Sequence, residues 1–171
     1  MVKSLKKVLA ATVLLIVSSC ATSRPDEKSA VSVVLDSWHK AAAEANFNSY
    51  FALMSNDAVF IGTDPTENWQ LDAFKSFSKP FFDKGKAWNF TPVERHLYFN
   101  DRKDFAWFDE LLSTQMKLCR GSGVLKKENG QWKIAHYVLS IAVPNEYTDE
   151  VIKLKSAFDD ALIKKLSATR P

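Results

Sequence analysis

Residues 115–143, QMKLCRGSGVLKKENGQWKIAHYVLSIAV, decide the fold class of this chain. Apolar and polar side chains alternate through much of the stretch, and this period of two predicts β-strands. Asn129 and Gly130, at its centre, are typical of a tight β-hairpin turn. The same alternation extends upstream, and the predicted strands of this half of the chain are residues 88–99, 105–112, 115–127 and 131–143.

The first half of the chain has helical periodicity instead. Val31, Val34, Leu35 and Trp38 recur at helical spacing and form one apolar stripe. The predicted helices are residues 30–45, 47–54, 70–77 and, after the sheet, 150–166, with one short strand at 58–62. Helices followed by a long antiparallel sheet predict an α+β domain.

Three strings within this framework carry a family resemblance. They are residues 60–69 (FIGTDPTENW), residues 120–124 (RGSGV) and residues 132–136 (WKIAH). On these strings, residues 31–146 resemble the nuclear transport factor 2-like superfamily, and specifically its SnoaL-like branch. The resemblance implies a cone in which the N-terminal helices pack in the concavity of a curved antiparallel sheet. Relatives use this cone as an isomerase, dehydratase or cyclase cavity, or as a binding or dimerisation module, so the fold alone leaves the function open.

The N-terminal twenty residues resemble a bacterial lipoprotein signal that ends at Cys20. A basic start is followed by the apolar run 8–17, which as a helix would span only ~15 Å, about half of a membrane core. We therefore expect a lipid-anchored protein of the bacterial cell envelope, at the outer membrane in a two-membrane cell. The alternative is an ordinary secretory signal with an incidental cysteine. The predicted organisation is a signal peptide, a tether, a SnoaL-like domain and a C-terminal helix, at residues 1–19, 20–29, 30–146 and 147–171.

Charge and cysteine content exclude several classes of protein. The chain has 23 Lys and Arg against 20 Asp and Glu, and three of the lysines lie in the predicted signal, so the remainder is formally neutral. A neutral domain without a basic patch or a glycine-rich phosphate loop gives no reason to expect nucleic acid as a partner. Cys119 has no intramolecular partner if Cys20 carries lipid, and the three histidines show no metal-ligand spacing. We predict no metal and no cofactor.

Asp109, Glu110 and His136 are the candidate catalytic residues. Neighbouring side chains on a strand point to opposite faces, so only one of the two carboxylates can enter the cone. That carboxylate is either a general acid or base or part of a salt bridge, with Arg120 as the expected partner. His136 is either an acid or base in the cavity or a core histidine. A pair with Ser140 is rejected, because four residues of strand separate the two by ~13 Å.

Arg120 is the main candidate for ligand binding. Its neighbours at positions 118, 122 and 124 are apolar or small, which predicts an inward face. A buried guanidinium must be paired or bound to a ligand, because an isolated buried charge is very costly. The other predicted ligand-binding residues, grouped around the cavity mouth, are Phe60, Glu67, Trp69 and Trp107.

Three functions remain open on the sequence. The favoured one is a membrane-anchored domain that binds a small, largely apolar molecule with one acidic or polar end. The second is an isomerase, dehydratase or cyclase, and the third is a structural or dimerisation module with a filled cone. The last predicted strand has apolar residues on both faces, so either the C-terminal helix or a second subunit should cover the outer face, and we predict a homodimer.

Overall fold

The computed structural model describes residues 26–169. The predicted signal peptide and the lipidation of Cys20 lie outside the described residues. Among residues 26–169, no helix has both the length and the apolar character that a membrane span requires.

Four helices and six strands make up the described chain. The helices are α1 (Glu27–Ala43), α2 (Phe47–Ala52), α3 (Leu71–Asp83) and α4 (Thr148–Ala168), the last preceded by a short 3-10 helix (Asn145–Tyr147). The strands are β1 (Met54–Ile61), β2 (Asn68–Gln70), β3 (Thr91–Phe99), β4 (Phe105–Thr114), β5 (Lys117–Glu128) and β6 (Gln131–Ile141). Helix α3 runs six residues beyond its predicted end and contains Pro80. Its last turn buries Phe82, which favours the longer helix despite the proline.

The strands form one curved sheet in the order β2-β1-β6-β5-β4-β3. All neighbouring pairs are antiparallel except β1 and β6, which are parallel. Asn129 and Gly130 have φ angles of 51° and 80° in the β5–β6 hairpin, as the predicted turn requires. Helices α1, α2 and α3 pack against the inner face, so the predicted α+β architecture is confirmed.

A β-bulge at Ala135 determines which side chains of β6 enter the cone. Leu125 pairs with Ile134, whereas the preceding Val124 pairs with His136, so one residue of β6 is unopposed. Trp132 and Ile134 are buried before the bulge and Tyr137 after it. The alternation shifts by one position, and His136 lies on the outer side of the sheet.

Helix α4 leaves the outer face of the sheet open. None of its residues is buried, and Trp107 and Leu118 on the outer face are each about half exposed. The C-terminal helix, one of the two covers predicted for this face, therefore does not cover it. The homodimer through this face stays a prediction.

Candidate ligand pocket

A pocket of about 270 Å³ opens between the curved sheet and helix α3. Its walls come from the end of β1, the loop after it, β2, α3, the segment between α3 and β3, the turn between β4 and β5, and Leu139 of β6. Half of its fourteen lining residues are aromatic: Phe60, Trp69, Phe74, Phe77, Phe81, Trp88 and Phe90. The pocket is therefore a ring-lined cleft in which apolar surface predominates.

Stacked rings build the wall that faces α3. Phe60 and Phe74 lie 4.0 Å apart between ring centroids and are nearly parallel, and Trp69 stacks on Phe77 at 4.3 Å. Phe60 and Phe74 are buried at the base, whereas Phe77 and Phe81 are 40% and 46% exposed at the mouth. This gradient of exposure is typical of an open binding cleft rather than a closed core.

Glu67 is the one charged side chain among the described lining residues. The loop between β1 and β2 fixes it, because Gly62 N donates to Glu67 O at 3.1 Å and Glu67 N donates to Asp64 O at 3.0 Å. Asp64 N also donates to the carboxylate oxygen Oε2 at 3.2 Å. A Cβ atom at position 62 would overlap that oxygen, so Gly62 leaves the space that the carboxylate occupies. The loop thus holds an acidic group at the edge of an aromatic cleft.

A buried polar network lies deeper in the cone, around Glu110. His39 Nε2 donates to Glu110 Oε1 at 2.7 Å, and Tyr137 OH lies 3.4 Å from the same oxygen. Arg95 Nε donates to Oε2 at 2.9 Å, while Arg95 Nη1 donates to Asp36 Oδ1 at 2.7 Å. Because His39 and Asp36 belong to α1 and Glu110 and Arg95 to β4 and β3, the network fastens the first helix to the sheet.

The network keeps Glu110 ionised. Burial raises the pKa of this carboxyl group, but the hydrogen bond from His39 and the charge of Arg95 outweigh that effect and bring the pKa below its ordinary value. Burial, with the neighbouring Glu110 charge, raises the pKa of Tyr137 well above its usual value, so the phenol remains a donor. An ionised carboxylate surrounded by donors acts as an anchor for α1 and is a poor general base.

Comparison with known proteins assigns this chain to a family. The profile of the SnoaL-like domain matches residues 31–144. This chain belongs to the SnoaL-like family. No curated protein matches its sequence.

Solved structures share the fold of this SnoaL-like domain. A domain with a cystatin-like fold from Nostoc punctiforme PCC 73102 is 16% identical, with a TM-score of 0.61 over 86% of this chain and 98% of the other. An NTF2-like protein from Pseudomonas putida KT2440 is 14% identical, with a TM-score of 0.59 over 69% and 88% of the two chains. A candidate scytalone dehydratase from Novosphingobium aromaticivorans DSM 12444 is 14% identical, with a TM-score of 0.58 over 68% and 85%. At these identities the likeness shows the fold.

Among the residues predicted for the site, the SnoaL-like domain brings Phe60, Glu67 and Trp69 together in the pocket. Trp107 does not join them. It lies on the outer face, 48% exposed, with its ring stacked on Tyr98 at 5.9 Å. The prediction that Trp107 lines the cavity is wrong, because in β4 the even-numbered residues face inward.

The prediction that Arg120 points into the cone is also wrong. Its side chain is 60% exposed on the outer face, 4.0 Å from Asp109. The inward residues of β5 are Cys119, Gly121 and Leu125, together with Gly123. Glycine faces inward here because Tyr137, Glu110 and Phe108 occupy the space that a side chain at position 121 or 123 would need. Arg120 is therefore not placed to bind the acidic end that was predicted for the ligand.

Asp109 and Glu110 point to opposite faces of β4, as predicted. Glu110 is fully buried, whereas Asp109 is one-third exposed and lies 3.1 Å from His96 on the outer face. Arg120 is the neighbour of Asp109, but the partners of Glu110 are Arg95 and His39. His136 lies on the outer face, so the prediction that it shares a cavity with the inward carboxylate is wrong; the bulge at Ala135 is the physical reason.

Sequence reasoning missed His39 and Arg95. His39 follows Leu35 by four residues and so belongs to the buried stripe of α1, a spacing that could have revealed it. On β3, Arg95 lies on the same face as Leu97 and Phe99, and these two residues pack against the core. This shared face was the signal that could have revealed Arg95. Within residues 26–169, no group of three or more His, Cys, Asp or Glu side chains is arranged so that it could hold a metal ion.

Proposed function

We propose that the SnoaL-like domain binds a small, largely apolar molecule in the pocket between the curved sheet and helix α3. The aromatic lining carries this proposal, because seven rings around about 270 Å³ offer far more apolar than polar contact. Ligand pockets commonly measure roughly 300–1,000 Å³, so this pocket suits a molecule about the size of one substituted ring. Phe77 and Phe81 at the mouth are exposed, and a ligand would cover them.

Binding is better supported than catalysis. The Novosphingobium structure is named for a dehydratase, and such chemistry in this chain would need an acid and a base at the bound molecule. Among the described lining residues, Glu67 is the one titratable side chain. His39 and Glu110 lie outside the lining, with Phe90 packed edge-on against the His39 ring at 6.1 Å between centroids. The pocket therefore presents no pair of proton-transfer groups to a ligand.

Replacing Trp69 by Ala should weaken binding of tert-butylbenzene, a small apolar probe, by about tenfold, which corresponds to ~1.4 kcal/mol. Trp69 stacks on Phe77 and lines the pocket, so the change removes one wall. Ligand-observed NMR titration of the purified chain measures the affinity. The matched control is Trp107→Ala, which removes the same side chain from the outer face and should leave the affinity unchanged. Equal loss in both variants would contradict the proposed site.

We propose in addition that lipid on Cys20 holds the domain on a bacterial membrane, with the outer membrane as its location. The apolar run at 8–17 and the following Cys20 support this proposal. Two or more acyl chains give stable anchoring, whereas one chain binds only marginally.

Replacing Cys20 by Ser should therefore release the protein from the membrane fraction or leave its signal uncleaved. Fractionation of cells that express each variant, followed by mass measurement, distinguishes these outcomes. Cys119→Ser is the matched control, because that thiol is buried in the domain and is not part of the predicted signal sequence. A Cys20→Ser variant that stays in the membrane fraction with the mass of the wild-type protein would contradict the anchor.

A further inference from the structure

We infer that the pocket selects a cationic molecule, a small aromatic ammonium whose positive nitrogen lies beside the Glu67 carboxylate while its ring lies among the aromatic side chains. This inference rests on the proposed function and names its ligand class. It departs from the expectation of an acidic ligand, which depended on an inward Arg120.

The sign of the charge in the pocket supports a cation. Glu67 is negative, and none of the described lining residues is Lys, Arg or His. The nearby Lys79 pairs with Asp83 and lies over the Phe47 ring, and none of these three residues lines the pocket. An anionic ligand would be repelled by Glu67, whereas an ammonium group would find an opposite charge.

The rings contribute to the same preference. Aromatic faces carry negative electrostatic potential and attract cations within about 6 Å of the ring centroid, most strongly for tryptophan. Trp69 and Trp88 both line the pocket, and Trp69 lies two residues from Glu67. Two tryptophan rings and a carboxylate thus line the same pocket, and each of these groups attracts an ammonium group.

The loop geometry keeps the carboxylate available. Asp64 N donates to Oε2, and within residues 26–169 the carboxylate forms no ion pair. Gly62 permits this placement, since a methyl group there would displace Oε2.

The experiment compares two probes of nearly identical shape, phenyltrimethylammonium and the neutral tert-butylbenzene, by ligand-observed NMR titration of the full chain. The cation should bind about tenfold more tightly than its neutral counterpart. Glu67→Gln should remove most of that preference, because it should weaken phenyltrimethylammonium binding far more than tert-butylbenzene binding. Gly62→Ala, which pushes the carboxylate aside, should act in the same direction. The control Asp72→Asn neutralises an acid on the surface of α3 that does not line the pocket, and it should preserve the preference.

Three results would overturn the inference. Tert-butylbenzene binding as tightly as the cation would refute it and leave the proposed function intact. Equal weakening of both probes by Glu67→Gln would show that Glu67 supports the fold of the pocket rather than the ligand charge. Binding of neither probe would refute the proposed function together with the inference.

Discussion

Replacing Glu110 by Ala should lower the free energy of unfolding by about 3–5 kcal/mol. The change leaves the Arg95 guanidinium without its buried partner and removes the acceptor for His39. Asp36 remains as a partner of Arg95, but its carboxylate is largely exposed and compensates little. Denaturant unfolding followed by circular dichroism gives the value.

Asp109→Ala is the matched control, because Asp109 is the preceding residue of the same strand on the opposite face. Its partners are the exposed side chains of His96 and Arg120, so the cost should be below about 1 kcal/mol. If both variants lost the same stability, the network around Glu110 would not fasten α1 to the sheet.

The same carboxylate should make stability depend on pH. Burial raises the pKa of Glu110, but His39 and Arg95 lower it more, so the folded-state pKa lies below the ordinary value of 4.5. A lowered folded-state pKa means that this contribution is fully present above about pH 4.5 and is lost as the pH falls through the folded-state pKa. The free energy of unfolding of the wild-type chain should therefore fall more steeply below pH 4.5 than that of the Glu110→Gln variant.

Replacing Gly123 by Ala should destabilise the domain by about 1–3 kcal/mol or more. A methyl group at this position would overlap the carbonyl oxygen of His136 and approach Phe108 Cε1 to 2.9 Å. The His136 oxygen belongs to the backbone of β6 and cannot rotate away, so the hairpin itself must shift. Thermal or denaturant unfolding measures the loss.

Ser122→Ala, one residue away on the outer face, is the control for Gly123→Ala and should change stability by less than about 0.5 kcal/mol. A Gly123→Ala variant as stable as the wild type would show that β5 and β6 can separate at the bulge without cost. It would therefore contradict the close packing at that point.

The sheet could be predicted because its signals are local. Alternation along β4, β5 and β6 and the Asn129-Gly130 turn define strands and hairpin without reference to distant residues. The stripe from Val31 to Trp38 likewise defined α1, and its members Val31, Leu35 and Trp38 are buried. Strand β2, with three residues, was too short to show a period.

The side-chain faces could not be predicted, because they depend on registers that strands adopt together. The bulge at Ala135 moves His136 outward and Tyr137 inward, and nothing in the order of residues 131–141 marks it. Arg120 was predicted to face inward because its neighbours at positions 118, 122 and 124 are apolar or small. The inward face instead carries Gly121 and Gly123, since Tyr137 and Glu110 crowd it and leave no room for a side chain at position 121.

The buried network could not be predicted for a related reason. Its members come from α1, β3, β4 and β6 and are up to about a hundred residues apart, so no spacing links them. The pocket was partly predictable, since Phe60, Glu67 and Trp69 fall close together in sequence. The contributions of α3 and of the β4–β5 turn, including Met116, depend on tertiary packing.

We expect the ring-lined pocket to be where a small apolar molecule binds. Titration of methyl-labelled protein with tert-butylbenzene tests it most directly, because Met116 and Leu139 line the pocket and Leu118 lies on the outer face. We expect saturable shifts of the Met116 and Leu139 methyl signals and none at Leu118. Saturable binding that moves Leu118 and leaves Met116 and Leu139 unchanged would contradict the account.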